Sequence, residues 1–271
     1  MTTTKRVLIT GCSTGIGRAA AVELTKRGYE VVATARQVET LDGLDVAERL
    51  ALDVTSQASV DEARGRAGRV DVLVNNAGFG LEGAVESVPL DDVRRVFETN
   101  VIGASRMIQA FVPAMRERGD GVVVNVSSVA GVVAAPLSGY YSASKHALEA
   151  ISEALHLEVG HFGVRVLIIE PGSIVTEFGN NATDHRQTPG PYRELHDLWE
   201  LAFGRLVGGG EAPGPELVAA VIAEALESVA AGKKQLRWPV GDDAQLVCTT
   251  REAMGYDDFE AQMRQVLQLD W

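Results

Sequence analysis

Short, branched apolar runs recur along this chain, separated by alanine-rich stretches of helix length. Val7–Thr10, Val31–Ala35, Val70–Val74, Val122–Val126 and Val164–Ile169 are each four to six residues long and rich in Val and Ile. Continuous runs of this length suit strands covered on both faces, because a strand with one wet face would alternate. A weaker run, Glu48–Leu52, fits a strand placed before Val70, and Lys234–Val240 offers a seventh, ended by Pro239 and Gly241. Between the runs, apolar spacing predicts helices over Ile16–Arg27, Ser56–Ala67, Leu90–Arg118 and Tyr141–Gly160. Strands alternating with helices form βαβ units with right-handed crossovers. The expected fold is α/β: a doubly wound parallel sheet of about seven strands with helices on both faces.

The remaining features narrow the class. With 271 residues, 46% of them hydrophobic, the chain can bury a large core. No clean linker appears, so a single domain over 1–271 is expected. Within it, 5–175 reads as the dinucleotide-binding and catalytic core, 176–214 as a substrate-covering segment, and 215–271 as a C-terminal helix, seventh strand and tail. A net charge of −12 repels phosphate backbones and argues against nucleic acid as a partner. Cys12 and Cys248 lack metal-type or redox-type spacing, which suits a reducing compartment. No window holds 18 apolar residues without interruption and the start lacks a signal-type apolar region, so no membrane partner and a cytoplasmic location are expected. His146, His156, His161, His185 and His196 do not form a metal set. Ser128 lacks the Gly-x-Ser-x-Gly setting of a hydrolase nucleophile.

The first run leads into Thr10-Gly11-Cys12-Ser13-Thr14-Gly15-Ile16-Gly17, and a helical pattern follows at once. A glycine turn between strand and helix lets backbone approach a pyrophosphate, which the helix N-terminus then favours. No Gly-Lys-Ser/Thr follows, so a P-loop is not supported. The second strand ends in Ala35 without an acid, and Arg36 comes next. An acid there would bind the ribose 2′-hydroxyl of NAD; an arginine instead suits a 2′-phosphate, unless it is an ordinary surface residue. Asp53 has two readings, helix cap or acceptor for the adenine amine, and the hydroxyl of Thr55 or Ser56 is a rival cap. Asn75-Asn76-Ala77-Gly78 follows the fourth strand and can hold adjacent backbone together while lining a cofactor.

The fifth strand ends in Asn125-Val126-Ser127-Ser128, and Tyr141 lies thirteen residues beyond Ser128. Tyr141 and Lys145 are four apart at a helix start, so they share a face. An ammonium there is expected to lower the phenol's pKa, letting it exchange a proton with an alcohol near neutral pH. Ser128 then orients the substrate oxygen. Tyr140 has Ser144, not a lysine, at the same spacing.

Together these motifs resemble the classical short-chain dehydrogenase/reductase family, of an NADP(H)-preferring type, over roughly residues 5 to 240. The resemblance implies a Rossmann-type fold, reversible oxidation of a secondary alcohol, and a homodimer or homotetramer. Carried over residue by residue, it implies a cofactor site at Gly11, Ser13, Thr14, Gly15, Ile16, Gly17, Arg36, Asp53, Val54, Asn76, Ala77 and Gly78. The cofactor site continues with Tyr141, Lys145, Pro171, Gly172 and Thr176. The catalytic set would be Asn100, Ser128, Tyr141 and Lys145, with Asn100 holding a water that links Lys145 to solvent. Cys12 and Ser13 stand where the family often adds a basic residue for NADP(H), so NAD(H) remains the alternative cofactor.

Val133, Ala135 and Leu137 fall between Ser128 and Tyr141 and are expected to line the substrate pocket. The 176–214 segment carries Phe178, Leu195, Leu198, Trp199, Phe203 and Leu206, with a helix predicted over Tyr192–Leu206 and glycines at 208–210 that would let it move. Leu195, Leu198 and Trp199 share a helical spacing and face either an apolar substrate or the core; Trp199 and Phe203 are expected to line the substrate, and Arg186, Arg193 and Arg205 are candidate clamps for an anionic one. The function expected is hydride transfer between NADP(H) and the carbonyl or alcohol carbon of a hydrophobic ketone or secondary alcohol. The alternatives are an NAD(H)-dependent alcohol dehydrogenase and a non-catalytic nucleotide-binding regulatory or scaffold protein.

Overall fold

The computed structural model describes residues 4–177, 182–186, 190–206 and 212–269. Its strands are β1 (Arg6–Ile9), β2 (Glu30–Ala35), β3 (Glu48–Ala51), β4 (Val72–Asn75), β5 (Leu81–Glu82), β6 (Gly121–Val126), β7 (Val164–Pro171), β8 (Thr183–Asp184) and β9 (Arg237–Val240). Seven of them make one sheet in the order β3-β2-β1-β4-β6-β7-β9, every pairing parallel. The chain runs outward from β1 to β3, then returns to place β4 on the other side of β1. Helices diverge at that reversal and leave a crevice beyond the strand C-termini.

The continuous apolar runs resolve into two faces. On one, Val7, Ile9, Val31, Ala33, Val72, Val74, Val122 and Val124 pack with Ala20, Ala21 and Leu24 of α1 (Gly15–Lys26). The opposite face carries Leu8, Val32, Leu50, Leu73 and Val123. These meet α2 (Gln57–Ala67) and two longer helices described below, through Val60, Met107, Phe111, Leu155 and Val159. The period of two is present, but both phases are apolar because helices cover both sides.

One expected helix is interrupted. Leu90–Arg118 runs as α3 (Leu90–Phe97), a wide π-turn over Glu98–Gly103, and α4 (Ala104–Arg118). Apolar spacing continues through the turn, so periodicity does not reveal it. Its cause is tertiary: the Asn100 side chain is held by the Phe79 backbone, and Gly103 packs so closely on Val54 that a Cβ would collide. Such turns often mark functional positions.

After β6 comes α5 (Gly139–Val159), starting two residues before the predicted boundary. Between β7 and β9 lie α6 (Arg193–Leu206) and α7 (Pro215–Ala230). The tail is helical, as α8 (Asp242–Ala253) and α9 (Tyr256–Leu267), and α9 packs against α6. The β5–β8 ribbon was not legible in the sequence, because two-residue strands carry no period. No helix among the described residues is long and apolar enough to cross a membrane.

Candidate active site

The glycine turn closes the C-terminal end of β1. Gly11 has φ +75°, a left-handed conformation that disfavours any Cβ, and a Cβ on Gly17 would overlap the Gly11 carbonyl. Thr14 is the N-cap of α1 but makes no side-chain cap bond, so the helix N–H groups remain for an anion. Asn76 fastens the turn: its Nδ2 donates to the carbonyls of Thr10 (2.9 Å) and Gly11 (3.1 Å). The Thr10 hydroxyl in turn accepts from the N–H groups of Asn76 (3.0 Å) and Ala77 (2.9 Å). Thr176 lies against Gly15, so the segment after β7 reaches the same turn. Backbone this close, with no side chain inside it, fits a pyrophosphate; Gly11, Ser13, Thr14, Gly15, Ile16 and Gly17 would hold it.

Arg36 follows β2 directly and is exposed, with no hydrogen bond or ion pair among the described residues. Asp53 does not cap α2. Its Oδ1 accepts from the N–H (2.9 Å) and hydroxyl (2.7 Å) of Thr55, and the cap is Ser56. Val54 packs beside the π-turn, and Gly78 sits against the Asn100 amide.

Ser128, Tyr141 and Lys145 are brought together where β6 ends and α5 begins. Ser128 accepts from the Ala130 N–H at 3.1 Å, donates to the Pro171 carbonyl at 3.4 Å, and is hydrogen-bonded to the Tyr141 hydroxyl. Lys145 is buried, its Nζ donating to the Val126 carbonyl at 2.9 Å and lying 5.8 Å from the Tyr141 ring centre. Asn100 donates to Ser144 at 3.1 Å and to the Phe79 carbonyl at 3.1 Å, and accepts from the Phe79 N–H at 3.1 Å. Tyr140 turns away to the Val85 carbonyl at 3.2 Å.

The electrostatics correct one expectation. Burial pushes the Tyr141 phenol up to about 12; the Ser128 bond opposes this, while the Glu82 charge adds to it. Burial pulls Lys145 down to about 8, opposed by Glu149. The ammonium does not dominate the phenol because it is tied to a carbonyl and lies a ring's breadth away. At neutral pH the phenol is therefore protonated and set to donate a proton to an oxygen.

The residues expected on the substrate side are spread over two segments. Leu137 is buried with φ +61°, a strained conformation for a leucine in the loop between Ser128 and Tyr141. Val133 and Ala135 are half-buried in the same loop. Trp199 and Phe203 stack at 5.7 Å on α6, and Phe203 is 37% exposed, which removes it from the core. Arg186 is not a free clamp: it is paired with Glu82 (2.5 Å), Asp184 (3.1 Å) and Glu200 (3.2 Å), binding α6 and β8 to β5. Arg193 pairs with Asp197 at 3.5 Å. Phe178 and the glycines at 208–210 lie outside the described residues.

Sequence reasoning missed several participants. Asn75, Asn125 and Ser152 form a buried ladder, Asn75 Nδ2 to Asn125 Oδ1 (2.9 Å) and Asn125 Nδ2 to Ser152 Oγ (2.7 Å), that ties α5 to the sheet. Asp243 at the start of α8 accepts from the Ser173 N–H at 2.6 Å and crowds Gly172, fixing the turn after Pro171. The signal available was an Asp-Asp pair opening a helix after Gly241.

Residues 5–187 match the family described as short chain dehydrogenase. The chain is 32% identical over 278 residues to the uncharacterized oxidoreductase YusZ of Bacillus subtilis, covering 97% of this chain and 98% of the other. It is 39% identical over 242 residues to 17-beta-hydroxysteroid dehydrogenase type 1 of Homo sapiens, covering 82% and 74%. A solved short-chain dehydrogenase from Streptomyces avermitilis superposes with TM-score 0.82 at 38% identity, covering 97% of this chain and 96% of that one. A phenol, a serine and a lysine gathered at the end of the sheet that also bears the glycine turn are what that likeness leads one to expect: the chain belongs to the short chain dehydrogenase family and is an NAD(P)-dependent oxidoreductase acting on a carbonyl or CH–OH carbon.

Proposed function

We propose that the protein is an NADP(H)-dependent reductase of hydrophobic ketones, and in the reverse direction a secondary-alcohol dehydrogenase. The observation that carries this reading is the Ser128–Tyr141 hydrogen bond above a buried Lys145, at the end of the sheet that also bears the glycine turn. The bound nicotinamide supplies or takes up the hydride. Ser128 holds the substrate oxygen, and the protonated Tyr141 hydroxyl donates to it in reduction. Lys145 keeps positive charge beside the phenolate left behind. Asn100 braces Ser144 and the Phe79 backbone, and so the helix face that bears Tyr141 and Lys145. A water beside Asn100, linking Lys145 to solvent, belongs to the same proposal.

The phenol is protonated at neutral pH, so it is available as the acid in reduction, and the same oxygen takes the proton back in oxidation. The sign of the pH dependence follows from Lys145: its ammonium is present below about 8 and lost above it. Reductive kcat is expected to hold between pH 6 and 7.5 and to fall beyond about 8. A kcat profile still flat at pH 10 contradicts the role given to Lys145.

Several features support the rest of the reading. Solved relatives at 26% identity include one in complex with NADP and one with NAD, so the cofactor preference rests on Arg36. Relatives are named for a hydroxysteroid, for retinol and for 3-ketodihydrosphingosine, all largely apolar compounds. The Trp199–Phe203 pair and the loop with Val133, Ala135 and Leu137 suit such a substrate, and Arg186 is engaged with carboxylates. The segment expected to cover the substrate, 176–214, lies partly outside the described residues; its described part, α6 among it, would do so within a single domain. Asp53 and Val54 would meet the adenine, and Pro171, Gly172 and Thr176 the nicotinamide side. The proposed assembly is a homodimer or homotetramer.

The test compares NADPH and NADH on a panel of long-chain and polycyclic ketones, in the parent and in Arg36→Ala. A charged hydrogen bond is worth about 1.5–3 kcal/mol, so kcat/KM for NADPH should drop tenfold or more while NADH is little affected. Equal use of both cofactors, unchanged by the substitution, rejects the phosphate contact.

A further inference from the structure

Below Lys145 lies a cluster of charge that the reading above does not use. Glu149 follows Lys145 by one turn of α5, and its side chain is only 6% exposed. Arg237 of β9 donates to Glu149 Oε2 at 2.7 Å and to Glu153 Oε1 at 2.6 Å, and also bonds Glu170 of β7, whose side chain is 1% exposed. The Ser127 hydroxyl stands beside Glu149, and the next residue is the Ser128 that bonds Tyr141. The cluster therefore meets the reacting groups twice, along α5 to Lys145 and along the chain just after β6 to Ser128.

Burying two carboxylates against one guanidinium is an expensive way to hold a strand edge, because ionised groups lose hydration that one partner does not fully return. The charge that Arg237 holds on Glu149 has a use nearby. Lys145 is bonded to the neutral carbonyl of Val126, so its own compensation must come through space. We propose that Glu149, held by Arg237, is a positioning residue that keeps Lys145 charged beside the reacting phenol. The proposal rests on the roles given above to Tyr141 and Lys145.

The groups facing Lys145 come from five segments. They are Tyr141 and Glu149 on α5, the Val126 carbonyl at the end of β6 with Ser127 after it, Asn100 through Ser144 from the π-turn, and, through Glu149, Arg237 on β9 and Glu170 on β7. Glu149 is the one that opposes the effect of burial on the lysine. Neutralising it removes that opposition and leaves Arg237 with one partner fewer, and both changes favour the uncharged amine.

The experiment is a titration of Lys145 by lysine side-chain NMR in the cofactor-free protein, alongside kcat against pH for ketone reduction, in the parent, Glu149→Gln and Glu149→Asp. In Glu149→Gln the Lys145 midpoint should fall by about one unit or more, tenfold in its ionisation constant, and the alkaline limb of kcat should move down with it. Dinucleotide affinity should stay within about twofold. Glu149→Asp keeps the charge one methylene further back, folds if the isosteric variant does not, and should move the midpoint less than half as far. A Glu149→Gln midpoint within about 0.3 unit of the parent, or equal shifts in both variants, overturns the proposal. Lys145→Met separates the two ideas. If it turns over like the parent, the mechanism fails, while the NMR midpoint still decides whether Glu149 governs the lysine's charge.

Discussion

Tyr141→Phe should lower turnover by about 10³-fold while leaving the cofactor bound as tightly as in the parent. The substitution removes one oxygen from a ring that keeps its packing, so the glycine turn and the strand ends are undisturbed. What disappears is the group that donates the proton and the bond through which Ser128 fixes it. A 10³-fold loss corresponds to about 4 kcal/mol of transition-state stabilisation, within the range of a single well-placed acid. The neighbouring Tyr140 hydroxyl cannot substitute, because it is bonded to the Val85 carbonyl. The checks are single-turnover hydride transfer with NADPH and equilibrium binding of the same cofactor. A variant within tenfold of the parent in hydride transfer would remove the phenol from the mechanism.

Arg237→Leu should have the largest effect on stability. Arg237 is a third exposed, but two of its three carboxylate partners, Glu149 and Glu170, are almost wholly enclosed. Leucine fills part of the volume and leaves Glu170 without its cation and Glu149 with Lys145 alone. Breaking one side of a buried ion pair costs about 3–5 kcal/mol, which for a chain of this size lowers the melting temperature by roughly 10 °C. The pH dependence follows from Glu170. Burial and the Glu149 charge raise its carboxyl to about 7 against the opposing pull of Arg237. A raised folded-state pKa contributes stability that is whole below the unfolded value and is lost as pH rises through the folded one. Without Arg237 the carboxyl rises further, so the deficit should be greater at pH 8 than at pH 5.5. Calorimetry at both pH values decides it; a loss that is the same at each would mean that packing, not charge, was removed.

The sheet was legible in the sequence because its central strands are covered on both faces and so read as unbroken apolar runs. The glycine turn and the Tyr141–Lys145 pair were legible because their spacing is local. What escaped depended on distance along the chain. Nothing near Arg237 announces that it meets Glu149 and Glu170, which lie 88 and 67 residues away. The phenol's acidity was misread for a similar reason. Helical spacing reports that a lysine is near, but not that its Nζ is tied to Val126 or that burial works against the phenolate. The break at Asn100 escaped because side chains keep their helical order through a widened turn.

That widened turn also makes the count of residues matter, besides the identity of Asn100 and Gly103. A π-turn takes up about one residue more than an α-turn, and on its far side Met107, Phe111 and Met115 must still arrive facing the sheet. Losing a single residue there would rotate them by roughly 100° and point polar neighbours such as Arg106 and Gln109 inward. Chains built on this plan are therefore freer to vary Thr99 or Ile102 than to vary the number of residues between Glu98 and Gly103.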